Sequence, residues 1–259
     1  MTTLMLACGM LRPELEMLCA RMAAPPAISY LEVGLHDVPD RLRAALQNAV
    51  DTVERENKGE LTILYGYTLC GRGLCGVHAG RATLVIPRLH DCVPLFLGIT
   101  PREALVRVPG PRLWISAGMQ DRLTRSLLNI DERRAEYETK FGPLKAARLL
   151  QAERRLFENY TELCYIRWTD LLPSRAADAK KIADYLALHY SETEGATGYL
   201  AELLAGGKDP EKFLHLAPGQ TLAMDADGVI QAASCTPDGM PLDKAGHRGG
   251  QRQGPNRED

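Results

Sequence analysis

The chain has 259 residues, 45% of them hydrophobic, and carries 31 Lys and Arg against 33 Asp and Glu for a net charge of -2. That apolar content supplies a substantial core for one large domain or two small ones and excludes disorder as the default. The balanced charge offers no clustered cationic face for phosphates, which argues against nucleic acid as the main partner, and the longest apolar runs, 82–87 and 93–99, fall far short of the roughly 20 residues that span a bilayer.

The start of the chain has no positive n-region, and Arg12, Glu14 and Glu16 follow too soon for a signal peptide, so a cytoplasmic location without a membrane partner is expected. Seven cysteines, an odd number without an export signal, argue against a disulfide framework. They are read singly, as core residues, metal ligands or nucleophiles.

In chain order, the run 2–7 predicts a strand that ends in Cys8-Gly9, and 11–22 shows helical spacing opened by Arg12-Pro13-Glu14. A second strand is predicted at 28–34. A long amphipathic helix is predicted at 37–58, with Asp37 as its N-cap, Pro39 in its first turn and Gly59 beyond its end. The third strand, 61–67, runs into Cys70-Gly71-Arg72-Gly73-Leu74-Cys75-Gly76, and the fourth, 82–87, into Arg88-Leu89-His90-Asp91-Cys92 and an apolar helical segment to Gly98. A fifth strand is predicted at 113–117, then one charged helix over about 131–160, a strand at 163–168, helices at 174–188 and 198–204, and a strand at 213–216. A hairpin over 222–230 turns on Asp227-Gly228. Strands alternating with helices imply an α/β fold, with a mainly parallel sheet whose strands are apolar because helices cover both faces. Residues 1–235 are read as a single α/β domain, with two Rossmann-like lobes near 1–120 and 150–235 compatible with the pattern. The Gly, Pro and charge of 236–259 predict a disordered tail.

Loops at the carboxyl ends of parallel strands converge on one edge, where ligands bind. Cys8, Cys70 and Cys92 each follow a predicted strand and are expected to meet there. Thiolates suit zinc or an iron–sulfur cluster, His90 adds a nitrogen donor, and a three-cysteine site leaves a coordination position open for reaction. The spacing itself is weak support, because no Cys-x-x-Cys pair occurs. Cys19, Cys164 and Cys235 are read as core or surface residues. Gly9, Gly71 and Gly73 allow close approach of the backbone to a cofactor, and Arg88 offers a fork of donors to an anionic group. His90 beside Asp91 is a candidate acid/base pair, and Cys92 activated by His90 without metal is a weaker alternative. Gly71, Gly73 and Gly76 also fall at dinucleotide-fingerprint spacing, which keeps nucleotide binding open at low weight; no Gly-x-Ser-x-Gly or His-Glu-x-x-His motif supports a hydrolase or zincin.

Three segments, Ala7-Cys8-Gly9-Met10-Leu11-Arg12-Pro13-Glu14-Leu15, Tyr65-Gly66 with Cys70-Gly71-Arg72-Gly73-Leu74, and Ile86 through Gly98, resemble the signature of an uncharacterised prokaryotic family of a domain of unknown function. The resemblance covers about residues 4–220, and Arg88-Leu89-His90-Asp91-Cys92 is its most specific part. Members of that family are frequent neighbours of corrinoid-dependent methyltransferase systems for methylamines and betaines. The resemblance therefore implies an accessory or enzymatic part in corrinoid or one-carbon metabolism, with corrinoid as a further cofactor and methyltransferase proteins as partners. The family carries a Gly-Trp segment where this chain has Ser116-Ala117-Gly118-Met119-Gln120-Asp121, and no cysteine equivalent to Cys75, which argues against Cys75 as an obligatory ligand.

The expectation is a cysteine-ligated metal protein acting on a small molecule by group transfer or sulfur chemistry. A non-catalytic carrier of corrinoid, another tetrapyrrole or metal, with His90 as axial ligand, is the alternative.

Overall fold

A computed structural model describes residues 2–108, 110–123, 127 and 129–236. The elements are β1 (Thr2–Cys8), α1 (Arg12–Cys19), β2 (Ala27–Leu31), α2 (Pro39–Glu56), β3 (Leu61–Gly66), β4 (Thr83–Pro87), α3 (Val93–Leu97), α4 (Pro101–Arg107), β5 (Arg112–Ile115), α5 (Ala117–Leu123), α6 (Ile130–Phe141), α7 (Pro143–Arg155), β6 (Glu162–Arg167), α8 (Ala176–Leu186), β7 (His189–Glu194), α9 (Gly198–Leu204), β8 (Phe213–Leu216), β9 (Gln220–Met224) and β10 (Ile230–Ser234). The first sheet runs β2-β1-β3-β4-β8, parallel except that β8 returns antiparallel to β4. A second, all-parallel sheet runs β5-β6-β7, and β9 and β10 form an antiparallel hairpin. The fold is α/β with mainly parallel sheets flanked by helices.

Period-two alternation explains why the strands of the first sheet read as continuous apolar runs. Along β1, Met5 and Ala7 face one side, with Leu15 of α1, Phe96 of α3 and Leu200 of α9, whereas Leu6 faces the other, with Leu42, Leu46 and Val50 of α2. β3 and β4 repeat the division: Leu64 and Val85 join the first cluster, and Ile63, Tyr65, Leu84 and Ile86 the second. The α2 trio recurs at four-residue intervals, the stripe that one helical face presents. Burying each of these side chains contributes about 1.5–3 kcal/mol. In the second sheet Trp114, Cys164 and Ile166 pack into the cluster of α1, α3 and α9, while Leu113, Ile115, Leu163 and Tyr165 pack on Ile182 of α8. One shared core thus fixes the second sheet against the first.

Several elements depart from expectation. The charged segment after residue 130 is two helices, because Gly142 takes φ 78° and Pro143 opens α7 without an N–H to extend the ladder. Helix α2 starts at Pro39 behind Val38, so Asp37 is not its N-cap. Strand β7, His-Tyr-Ser-Glu-Thr-Glu, was not expected: it lies at a sheet edge, where partial exposure allows a polar sequence. The predicted 222–230 hairpin is present, with Asp225 Oδ1 accepting from Asp227 N and Val229 N at 3.0 and 2.8 Å and Gly228 at φ 83°. The tail expectation falls on residues 237–259, outside those described. No helix among the described residues is long and apolar enough to cross a membrane.

Candidate functional site

Three neighbouring parallel strands, β1, β3 and β4, deliver their carboxyl-end loops to one place. Ala7 pairs with Gly66 in register, and a Cβ on Gly66 would lie 2.6 Å from that of Ala7, so the strand ends close tightly. Beyond them, the Leu69 N–H donates to the Leu89 carbonyl at 2.8 Å and the Cys70 N–H to the His90 carbonyl at 3.2 Å. These bonds stitch the two cysteine loops together. Cys70, Gly71 and Arg72 follow in the left-handed region at φ 45°, 63° and 71°. For Cys70 and Arg72 that conformation costs about 1–2 kcal/mol each, a strain held in place by the surrounding contacts.

Cys8, Cys70 and Cys92 lie near enough for Cys8 and Cys70 to bear on the ionisation of Cys92. Burial pushes the Cys70 thiol up to about 11; the Thr68 hydroxyl, 3.2 Å away, opposes the rise, and Cys8 and Asp91 add to it. Cys92 is raised well above the ordinary thiol value, first by burial, then by Asp91, Cys70 and Cys8. The Tyr67 hydroxyl is buried beside Cys8 and raised by burial, then by the Cys8 and Cys70 thiols; no hydrogen-bond partner of standard geometry satisfies it. Sequence reasoning missed Tyr67 and Thr68, although continuing the alternation of β3 two residues past Tyr65 would have turned Tyr67 to the same side. Among the described residues, no three His, Cys, Asp or Glu side chains stand as placed in a group that could hold a metal ion. None of the cysteines is joined in a disulfide.

The remaining candidates divide. Asp91 stays with the thiols, its Oδ1 accepting from the Val93 N–H at 2.7 Å at the start of α3. His90 is exposed and lies beside Gly228 of the hairpin. Arg88 donates from Nε to the Pro210 carbonyl at 2.9 Å and from Nη1 to that of Ile230, so its fork ties β4 to the hairpin. Gly73 packs on Leu42, where a Cβ would come to 2.6 Å, and a Cβ on Gly9 would come to 3.0 Å from Val33; Gly71 is open to solvent. Residues 71–76 form turns, so no helix N-terminus follows the glycines to receive a pyrophosphate, as a dinucleotide fingerprint requires. Cys75 sits beside Arg72 and Arg43, its thiol raised by burial against their pull. Cys164 is buried in β6 and Cys19 partly buried on α1, in keeping with their reading as core.

Beside Cys92 opens a cleft of about 650 Å³. Met10, Asp91 and Cys92 line it from the first sheet's loops, Arg112 and Trp114 from β5, and Phe157 from beyond α7. His36 and Asp37, 3.4 Å apart, also border it. Packing brings β5 here: a Cβ on Gly118, at the start of α5, would lie 1.9 Å from the Met10 carbonyl oxygen. The result is a half-buried cluster of thiols, one carboxylate and a buried phenol beside a cleft of mixed apolar and charged walls, an arrangement suited to soft-ligand chemistry on a small molecule.

No curated protein and no solved structure matches the sequence. A match to the family described as "Protein of unknown function (DUF1638)" runs over residues 30–204, more than half the chain, and takes in Cys70, Cys92 and the whole second sheet while starting after Cys8. The chain belongs to the DUF1638 family.

Proposed function

We propose that Cys8, Cys70 and Cys92 hold a thiophilic metal centre, an iron–sulfur cluster or zinc, whose open position faces the adjoining cleft. The observation that carries this reading is the convergence of three half-buried cysteines from three adjacent strand ends, where Cys8 and Cys70 both bear on the ionisation of Cys92. Burial raises the Cys70 and Cys92 thiols and favours their protonated form in the metal-free chain; metal must displace those protons, so loading assembles the ligand set and tightens with rising pH. The same burial speaks against a metal-free Cys92 nucleophile, which would need a lowered pKa. His90, turned to the hairpin, leaves the fourth position to an outside ligand, and Asp91, bordering both Cys92 and the cleft, is the group placed to move a proton.

The likeness of the Arg88–Cys92 segment to its family supports a setting in cytoplasmic corrinoid and one-carbon metabolism, with group transfer or sulfur chemistry at the open position and methyltransferase proteins as partners. Cleft size favours one second reading: about 650 Å³ with apolar walls suits a carrier of corrinoid or another tetrapyrrole.

Anaerobic purification followed by elemental analysis and optical spectra separates the two. The first reading expects stoichiometric metal that is lost in Cys8→Ala, Cys70→Ala and Cys92→Ala. Sharp tetrapyrrole bands without metal on the thiols would favour the carrier. A chain that contains no metal and takes none up would sink the first reading.

A further inference from the structure

We infer that Arg112 anchors the carboxylate of a monoanionic substrate with an apolar body in the cleft beside Cys92. The inference rests on the reading that this cleft is the substrate side of the thiol site.

Arg112 opens β5, an edge strand of the second sheet, and its side chain lines both the 650 Å³ cleft and a neighbouring cavity of about 420 Å³. Its Nε donates to Glu162 Oε2 at 2.8 Å, and the guanidinium lies 5.3 Å from the Trp114 ring centroid. Glu162 also accepts from the Ser191 hydroxyl, and that bond, with the Arg112 bond, holds its carboxyl below the ordinary range despite partial burial. The guanidinium is therefore fixed on one edge and stacked on a ring. Its two Nη groups have no partner among the described residues.

Other cations bordering the cleft are engaged: Arg133 donates to the Tyr137 hydroxyl and to Glu153, and His36 faces Asp37. Arg112 supplies what Arg88 was expected to supply, a fork turned toward ligand rather than toward backbone carbonyls.

A rigid guanidinium edge with two parallel donors matches the two oxygens of a carboxylate. Charge selects among anions. Asp37, Asp91 and Glu153 line the same cleft against Arg112 and Arg133, so the lining is net acidic and repels a phosphate dianion more strongly than a carboxylate. The walls flanking Arg112, Leu113, Trp114, Met119 and Phe157, are apolar and suit a hydrocarbon or aromatic body. A substrate held at Arg112 extends toward Cys92, which borders the same space.

Isothermal titration with 3-phenylpropionate, its uncharged amide and methyl phosphate tests the inference. The acid is expected to bind about tenfold to a hundredfold more tightly than the amide, the range expected of a charge-assisted fork. Arg112→Gln brings the acid down to the level of the amide, and Arg112→Lys, which keeps the charge and loses the fork, recovers part of the difference. Equal binding of acid and amide, no binding of the acid, an unchanged affinity in Arg112→Gln, or tighter binding of methyl phosphate overturns the inference. The comparison of acid with amide needs no variant and holds even if Arg112→Gln does not fold. Metal content of Arg112→Gln is expected to equal that of the unaltered chain. Absence of metal from both would sink the thiol-centre reading and leave the acid–amide result to stand by itself.

Discussion

The two parallel sheets end in carboxyl edges built on the same plan, yet they treat the polar groups there differently. At the second sheet's edge several groups pair with one another, although the buried Trp168 indole N–H finds no hydrogen-bond partner. Thr169 donates to Glu194 from both its N–H and its hydroxyl, at 2.8 and 2.9 Å, Arg167 Nε adds a third bond to the same carboxylate at 2.9 Å, and Gln120 Nε2 reaches the Arg175 carbonyl at 2.8 Å. At the first sheet's edge the half-buried Cys70 and Cys92 thiols are raised above their ordinary value, the Tyr67 hydroxyl is buried beside Cys8, and the Cys70 and Arg72 backbones are strained. Buried polar groups are normally satisfied. Topology offers both edges as sites, and it is the first that gathers three cysteine-bearing loops.

The largest contrast is in metal. Cys92→Ala is expected to abolish metal binding, whereas Cys164→Ala, in the second sheet, leaves the stoichiometry unchanged; elemental analysis of the two variants side by side checks this, and equal losses would erase the distinction between the edges.

Next in size is a packing effect uncoupled from the site. Leu46→Ala removes a fully buried side chain between α2 and the first sheet and is expected to destabilise the chain by about 2–5 kcal/mol in urea unfolding while metal per folded chain stays constant. A fall in metal beyond the fall in folded protein would mean that the site depends on α2.

A smaller effect is in pH. The metal-free folded chain keeps Cys70 protonated up to about 11, whereas the unfolded chain ionises it near 9.0. Between those values the native state binds more protons, so stability falls as pH rises through that window. Urea midpoints across the window are expected to decline in the unaltered chain and to decline less in Cys70→Ala; parallel slopes would mean that Cys70 is not the titrating group. Smallest of all is Glu194→Gln, at most about 1 kcal/mol by thermal unfolding, because its partners sit at an exposed edge where water replaces them. A larger loss would show that the Glu194 pairings are more than a surface feature.

Legibility followed burial. β1, β3 and β4 could be read because both of their faces are covered, and the cysteines could be placed at their ends because a parallel sheet puts every loop after a strand on one edge. β7 escaped notice because an edge strand with exposed side chains carries no apolar signal, and the break at Gly142 was hidden inside a segment uniformly rich in charge. Cys8, Cys70, Cys92 and Asp91 could be assigned to one sheet edge by loop position. His90, one residue from Asp91, turns to the hairpin, and Arg88 is taken by the Pro210 and Ile230 carbonyls, because side-chain direction in a loop depends on what packs against it. Nothing local marks Arg112, which starts an ordinary strand.

By itself the sequence determined the α/β class, the order of most elements and the gathering of three cysteines at one edge, since periodicity and topology are properties of the chain's own pattern. Tertiary structure alone decided that β5 lies across that edge, that Tyr67 closes beside the thiols and that Arg112, not Arg88, faces the cleft. Those outcomes depend on contacts between segments as far apart as Met10 and Gly118, where shared packing volume, not local preference, sets which side chain meets which.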